Sequence, residues 1–489
     1  MTALYSRFFA AVVFLSTFLS TLCAAQSSLP VAMDASREAR LEKDIPVLMD
    51  QAGIPGLSIA VIRGGKTVWT GAFGVRDESA KLPVDHDTVF NVASLTKPVF
   101  TYAVLKLVEA GKLKLDEPLA PYLPKDMIAG DPRFQQVTAR FILSHRAGFP
   151  NGVRKGQAIT IHFTPGEKFS YSGTGMGVLQ QAIEKITGIP LDQFIQQSVF
   201  KPLGMKHSYM VWNPTVKDDS AIGYTVGGDP RPYKTDEAFA AGSLVTTAED
   251  YATFLNAILR RKGLKASSFR EMETSEIAVD TGCANCVDGT PTGKLSTSIF
   301  WGLGVGIEKT SDGLSLWHWG DNETYKAFFV VRPESRSGVV YMTNGENGLA
   351  IGSAILAATL GGSQPAFDWL KYDNYDSPGL VFTKIALQQG ASTALAQFSK
   401  ELAAGSVPEG TLNQVGYALM GSKKIEDAIL VFEKNVELHP ASWNAYDSLG
   451  EAYMNKGENE LAVKNYRKSI ELNPSNDNGR AMLKKLGGE

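Results

Sequence analysis

From Ser36 to Ala52 the apolar residues Leu41, Ile45, Leu48 and Met49 recur at helical spacing. The next stretch, GLSIAVIRGGKTVWTGAFGVRD, reads as a β-hairpin turning at Gly64-Gly65. Residues 99–112, VFTYAVLKLVEAGK, again carry one apolar helical face, and Gly111 supplies the stop. From about 120 to 290 helix signals alternate with turns such as FPNG, FTPGE and GGDPRP. Strand patterns return in FWGLGVGIE, LSLWHWG, AFFVVRP and SGVVYMTN. Sheet pieces at both ends of a helical middle predict an α+β domain, an antiparallel sheet with flanking helices.

The C-terminus has a different period. VELHP ends at Pro440 and IELNP at Pro474, 34 residues apart, and the same offset pairs Gly416 with Gly450, Ala428 with Ala462 and Phe432 with Tyr466. Together with Leu449 and Tyr453 these positions fit a tetratricopeptide repeat, an all-α unit. Two repeats bury too little on their own, so helical stretches at 380–404 and 477–487 are expected to flank and cap them. The expected layout is residues 1–25 as a cleaved segment, 26–362 as the α+β domain, 363–408 as linker and helical segment, and 409–489 as the repeats.

The segment expected to be cleaved places Arg7 before an apolar run from Phe8 to Leu22 and then Cys23, Ala24 and Ala25, the pattern of an export signal. No later segment has the ~20 apolar residues of a membrane span, so a soluble protein, periplasmic or secreted, is expected. The formal net charge of -3 and the lack of a long Lys/Arg run give no basis for nucleic-acid binding. Past the signal only Cys283 and Cys286 remain, in TGCANCVDGT. Two thiols are half a zinc site, and an oxidising compartment favours a local disulfide.

Chemistry first appears in NVASLTKPVF. At a helix entry Ser94 and Lys97 share a face, so hydroxyl and amine can meet. The apolar flanks Phe90, Val92, Val99 and Phe100 favour burial, and burial lowers a lysine pKa enough for it to accept a proton. A second Ser-x-x-Lys, Ser198 to Lys201, precedes the turn Pro202-Leu203-Gly204 and reads as structural. No Gly-x-Ser-x-Gly elbow occurs, and the six histidines (86, 145, 162, 207, 318 and 439) form no HExxH or HxH pair. No metal and no cofactor are expected.

Taken in order, FNVASLTKPVFTYAVLKLVEAGKLKLDEPLAPYLP, ILSHRAGFP, FTPGEKFSYSGTGMGVLQQAIEKITG, VFKPLGM, AAGSLVTTAEDYATFLNAIL and HWGDNETYKAFF resemble the serine β-lactamase and penicillin-binding-protein family, in the branch of class C β-lactamases, related esterases and D-amino-acid peptidases. The resemblance spans about residues 38–360. It implies that Ser94 is the nucleophile, Lys97 its proton acceptor and Tyr171 a proton relay. It also implies that His318-Trp319-Gly320 is a third motif beside the pocket, and that the amides of Ser94 and Asp321 form an oxyanion hole. His318, Gly320 and Asp321 would then bind substrate, while His145 reads as a structural residue at a turn.

Three positions depart from the family pattern. Gly173 stands where asparagine is usual and His318 where lysine is usual, a titratable group in place of a permanent cation, and both changes weaken recognition of a β-lactam carboxylate; Trp319, where a small hydroxyl residue is usual, is expected to narrow the pocket further. The resemblance therefore implies a serine hydrolase acting on an ester or peptide-like small acyl substrate. Two alternatives stay open: a true β-lactamase or D-Ala-type carboxypeptidase, and a catalytically silent scaffold. The repeats are expected to bind a peptide or protein partner.

Overall fold

A computed structural model describes residue 33 and residues 35–125, 127–128, 130–154 and 156–488; the segment 1–25 lies outside the described residues. Among the described residues nine strands form one antiparallel sheet in the order Leu82–Pro83, Lys66–Asp77, Gly56–Arg63, Ser337–Thr343, Tyr325–Arg332, Gly313–Asn322, Gly306–Thr310, Leu295–Trp301 and Ile277–Asp280. The first hairpin thus pairs at the sheet centre with Ser337–Thr343, Leu57 opposite Thr343 and Val61 opposite Val339.

Both faces of the sheet are covered. On one, Ala60, Ile62, Val340 and Phe329 pack with the helices Thr96–Glu109, Gly173–Thr187 and Ala248–Leu259. On the other, Ile59, Val61, Phe328 and Tyr341 pack with the N-terminal helix Ala35–Ala52 and the helices Gly352–Thr359 and Pro365–Leu370. Two buried faces explain why Gly56–Arg63 and Ser337–Thr343 read as continuous apolar runs. No helix among the described residues is long and apolar enough to cross a membrane.

One strand is broken. FWGLGVGIE reads as a single strand, yet Leu295–Trp301 and Gly306–Thr310 are two strands separated by a turn. Gly302 and Gly304 make the turn: a Cβ on Gly302 would lie 2.3 Å from the Met272 carbonyl, and Gly304 has φ +70°.

The helix Pro365–Leu370 belongs to the core of the sheet domain, where Phe367 stacks on Phe328 at 4.5 Å between ring centroids. A separate helical core runs from Phe382 to Leu483. Its repeat signature has a direct cause: Gly416 lies against Phe432 and Gly450 against Tyr466, where a Cβ would come within 2.4 and 3.2 Å of the rings. The helices Pro378–Gln389 and Ala391–Gln397 precede the repeats and Asp477–Lys485 closes them. Lys384 clips this unit to Asp50 of the first helix at 2.8 Å, and Ser422 bonds the Gly227 carbonyl at 3.0 Å.

Candidate active site

Ser94 stands in the 3₁₀ turn Ala93–Leu95 that feeds the helix Thr96–Glu109, and it is the one residue of 91–100 that is not buried. The turn is tightly held. Ala93 adopts φ +47°, a region costly for a residue with a Cβ. Its amide donates to Asn91 Oδ1 (3.2 Å), which also accepts from Asn322 Nδ2 (3.0 Å). The Asn91 amide group donates to the Gly242 and Leu244 carbonyls, Thr96 Oγ1 donates to the Ala93 carbonyl (2.6 Å), and Tyr251 Oη donates to the Leu95 carbonyl. Contacts from four segments over-determine where the Ser94 hydroxyl sits.

Lys97 follows one helical turn later with 1% of its surface exposed. Its Nζ donates at 2.8 Å to Ser94 Oγ and at 2.8 Å to the Ala241 carbonyl. Burial lowers its pKa to about 7, because the apolar surroundings penalise the charged amine. At neutral pH a large share of the molecules thus holds a neutral amine in contact with the serine hydroxyl, which is the state a proton acceptor requires.

Tyr171 lies across this pair, with Lys97 Nζ 4.8 Å from its ring centroid. Burial pushes its phenol far above the ordinary value, and the facing Ser94 hydroxyl opposes that rise. The two hydroxyls do not align into a full hydrogen bond, and the phenol oxygen is buried without one. The contrast decides the roles available: at neutral pH Tyr171 is a protonated donor, and only Lys97 among the three titrates in range to act as base.

Tyr171 is clamped through alternate amides. Ser170 N donates to the His145 carbonyl (2.9 Å) and Ser172 N to His145 Nδ1 (3.0 Å), while Tyr171 N donates the other way, to the Ala284 carbonyl (2.8 Å). His145 takes φ +56° and its ring packs against the Tyr171 ring at 4.3 Å, tilted by 40°. Because its Nδ1 accepts, the neutral ring carries its proton on Nε2. Its pKa is held well below the usual value by burial, with the Lys97 and His318 charges adding to that effect. Ala284 lies within the disulfide Cys283–Cys286, whose Cα atoms are 5.3 Å apart. Reducing this bond frees the loop that holds the Tyr171 amide. The expected result is a fall in kcat of roughly tenfold to hundredfold with little change in KM, checked by ester turnover before and after treatment with a phosphine reductant and in Cys283→Ser/Cys286→Ser.

The third motif lies on Gly313–Asn322. The neighbouring strand Gly306–Thr310 pairs with it only as far as Trp317, so beyond that point its free edge meets the Ser94 turn. Gly320 makes the approach possible, since a Cβ there would lie 2.2 Å from the Val92 carbonyl. His318 is fully buried and donates from Nδ1 to the Trp319 carbonyl (2.7 Å), leaving Nε2 without a partner. Burial, helped by the Lys97 charge, lowers its pKa to about 3. It is a neutral imidazole at pH 7, not the titrating replacement for a lysine expected from the pattern; burial, with Lys97 adding to it, is the cause. Trp319 packs on Tyr171 at 4.6 Å within a cluster that includes Trp301, Trp317 and Trp369. The Asp321 carboxylate receives hydrogen bonds from Lys326 and from the Tyr372 hydroxyl.

The structure thus brings Ser94, Lys97, Tyr171, His318 and Gly320 into one cluster, with Asp321 at its rim. The second Ser-x-x-Lys lies elsewhere: Lys201 is exposed, and among the described residues no hydrogen bond joins it to Ser198. Gly173, at the departure from the family pattern, has little room for a side chain, as a Cβ would lie 2.9 Å from the Asn151 carbonyl. The Ala241 carbonyl provides the second contact to the lysine. Asn91, Ala241, Trp301 and Tyr372 were not signalled in the sequence as parts of the site.

Comparison with known proteins identifies the family. The β-lactamase family model matches residues 41–359, well over half of the chain, and a tetratricopeptide repeat model matches residues 444–476. The chain belongs to the β-lactamase family, a family of serine hydrolases. It is similar to Protein flp of Staphylococcus aureus (strain N315), 24% identical over 334 residues covering 63% of each chain, so it spans under two thirds of that relative's length. It is also similar to the putative penicillin-binding protein PbpX of Bacillus subtilis (strain 168), 28% identical over 46% of this chain and 60% of that protein. Among solved structures, the octameric penicillin-binding protein homologue from Pyrococcus abyssi superposes with a TM-score of 0.57 at 26% identity, covering 71% of this chain and 81% of that one. The D-alanine carboxypeptidase AmpC from Burkholderia cenocepacia shares the fold (TM-score 0.54, 20% identity, 63% and 94% covered).

Proposed function

We propose that the chain is an exported serine hydrolase that cleaves an ester or peptide-like acyl substrate through an acyl-serine intermediate. The observation that carries this reading is the 2.8 Å contact between Ser94 Oγ and a Lys97 amine whose pKa is lowered to about 7. Ser94 Oγ attacks the carbonyl carbon while its proton passes to Lys97. The oxyanion lies between the amides of Ser94 and Asp321, a kind of donor worth about 10²–10³ in rate. Tyr171, a protonated phenol, passes a proton to the leaving group. Water then attacks the acyl-enzyme, its proton returns through the same groups, and the acid leaves with Ser94 restored.

Preference for esters and peptide-like amides over β-lactams is supported by the site's charge. The third motif offers a neutral, buried His318 in place of a cation, and Gly173 brings no amide side chain. Export is supported by the 1–25 pattern and by the Cys283–Cys286 bond.

The test is peptide-mapped mass spectrometry of the protein after brief exposure to p-nitrophenyl acetate and, separately, to a penicillin. An acetyl adduct on the Ser94 peptide with the ester alone is the expected result. Rapid penicillin turnover overturns the substrate preference in favour of a β-lactamase or carboxypeptidase. No adduct and no turnover with either overturns the enzyme reading in favour of a silent scaffold.

A further inference from the structure

Two cavities, about 320 and 310 Å³, lie end to end in the seam between the sheet domain and the helical unit. They share Glu346, Asn347, Asp373, Leu380 and Gln414 in their walls. The inner cavity starts at Asp321, Lys326 and Tyr372. Tyr372 joins it to the catalytic cluster: its hydroxyl donates to the Asp321 carboxylate, and it stands close enough to Trp319 and Tyr171 to feel both. The outer cavity continues to Thr411 and Tyr417 on the first helix of the repeats, Glu409–Gly421.

We propose that this seam is the extended binding site for the substrate, with the helical unit as one of its walls, and that its occupant is a polar peptide chain attached to the scissile carbonyl. The proposal rests on the acyl-serine reading above and adds the substrate class and the part of the chain that selects it. The lining decides the class. Charged groups of both signs, Glu346 and Asp373 with Lys326 and Lys371, stand beside the amides and hydroxyls of Asn347, Gln414 and Thr411, with few apolar contacts such as Leu380. An alkyl or aryl acyl group would strip water from these groups without replacing its hydrogen bonds, whereas a peptide backbone offers a donor and an acceptor at every residue. Each cavity is at the lower end of the range for ligand pockets, about 300–1,000 Å³, and their end-to-end arrangement suits an extended chain. Leu380, Gln414, Thr411 and Tyr372 all lie beyond residue 359, where the match to the β-lactamase family ends. This specificity therefore comes from the appended segment and belongs to this chain's architecture.

The experiment compares two substrates of the full-length protein: p-nitrophenyl acetate, which is too short to reach from Ser94 into the seam, and a depsipeptide with two alanines on each side of a central ester. Gln414 is exposed on its helix, so Gln414→Trp plugs the shared wall without disturbing the core; Thr411→Trp plugs the outer cavity. In both variants the ratio of kcat/KM for the depsipeptide to kcat/KM for p-nitrophenyl acetate is expected to fall at least tenfold. An unchanged ratio in both overturns the proposal. Calorimetry on Ser94→Ala, with and without Gln414→Trp, reads depsipeptide binding without catalysis, so a wild-type protein that hydrolyses neither ester counts against the acyl-serine reading alone. In that measurement a tenfold weaker affinity with the plug supports the seam, and equal affinity or no binding overturns it.

Discussion

Ser94→Ala is expected to lower kcat for ester hydrolysis by about 10⁴–10⁶, the scale on which removal of a serine nucleophile acts in other serine hydrolases, and to remove the acyl adduct altogether. The protein should keep its fold. The turn around Ser94 is held by Asn91, Thr96, Asn322 and Tyr251, and the Ser94 hydroxyl takes no part in those bonds. Its one hydrogen bond is from Lys97, which keeps its other bond, to the Ala241 carbonyl, when the hydroxyl is removed. An unchanged denaturation midpoint with lost turnover therefore separates chemistry from folding. A variant that kept more than a hundredth of wild-type turnover would show that another group attacks the carbonyl.

The reason this serine was legible in the sequence, and other parts of the site were not, is physical. Ser94 and Lys97 are three residues apart, so local helix geometry alone places them together. The 34-residue period of the repeats was legible for a similar reason, since Gly450 must be small to admit Tyr466 of the next helix. The contacts that tune the chemistry join distant segments. His145 and Ala284 hold Tyr171 from opposite sides at sequence separations that carry no periodic signal. Tyr372 reaches Asp321 from beyond the end of the family match in the sequence. The neutrality of His318 depends on total burial beneath Lys97 and a wall of indole rings, and a strand pattern tells only which residues alternate, not how deep one end lies. The same holds for FWGLGVGIE, whose apolar content fits a strand while the space beside Met272 and Thr101 requires the glycines to turn.

Lys97 should govern both the pH dependence and part of the stability. With its folded pKa at about 7, the neutral amine that accepts the Ser94 proton falls about tenfold per pH unit below 7 and predominates above. The kcat/KM for p-nitrophenyl acetate should therefore rise with slope one up to about pH 7 and then level off. Lys97→Met should lower kcat by about 10³ or more. Stability should respond to the same substitution in the opposite direction. The folded-state pKa is depressed below the ordinary lysine value of about 10.4, so between these two values the unfolded chain binds more protons than the folded one, and stability rises with pH across that window. Below pH 7 the cost of burying the amine is present in full; above the unfolded pKa it is gone. At about 1.4 kcal/mol per pH unit the cost at pH 7 is on the order of 4 kcal/mol. Lys97→Met removes it and should raise the denaturation midpoint at pH 7, with a smaller gain at pH 10. A flat pH–rate profile between 5 and 9, or a Met variant less stable than wild type at pH 7, would show that the amine is not held as this geometry requires. The expected exchange of stability for activity at a single buried side chain is the physical signature of a base prepared for catalysis by its surroundings.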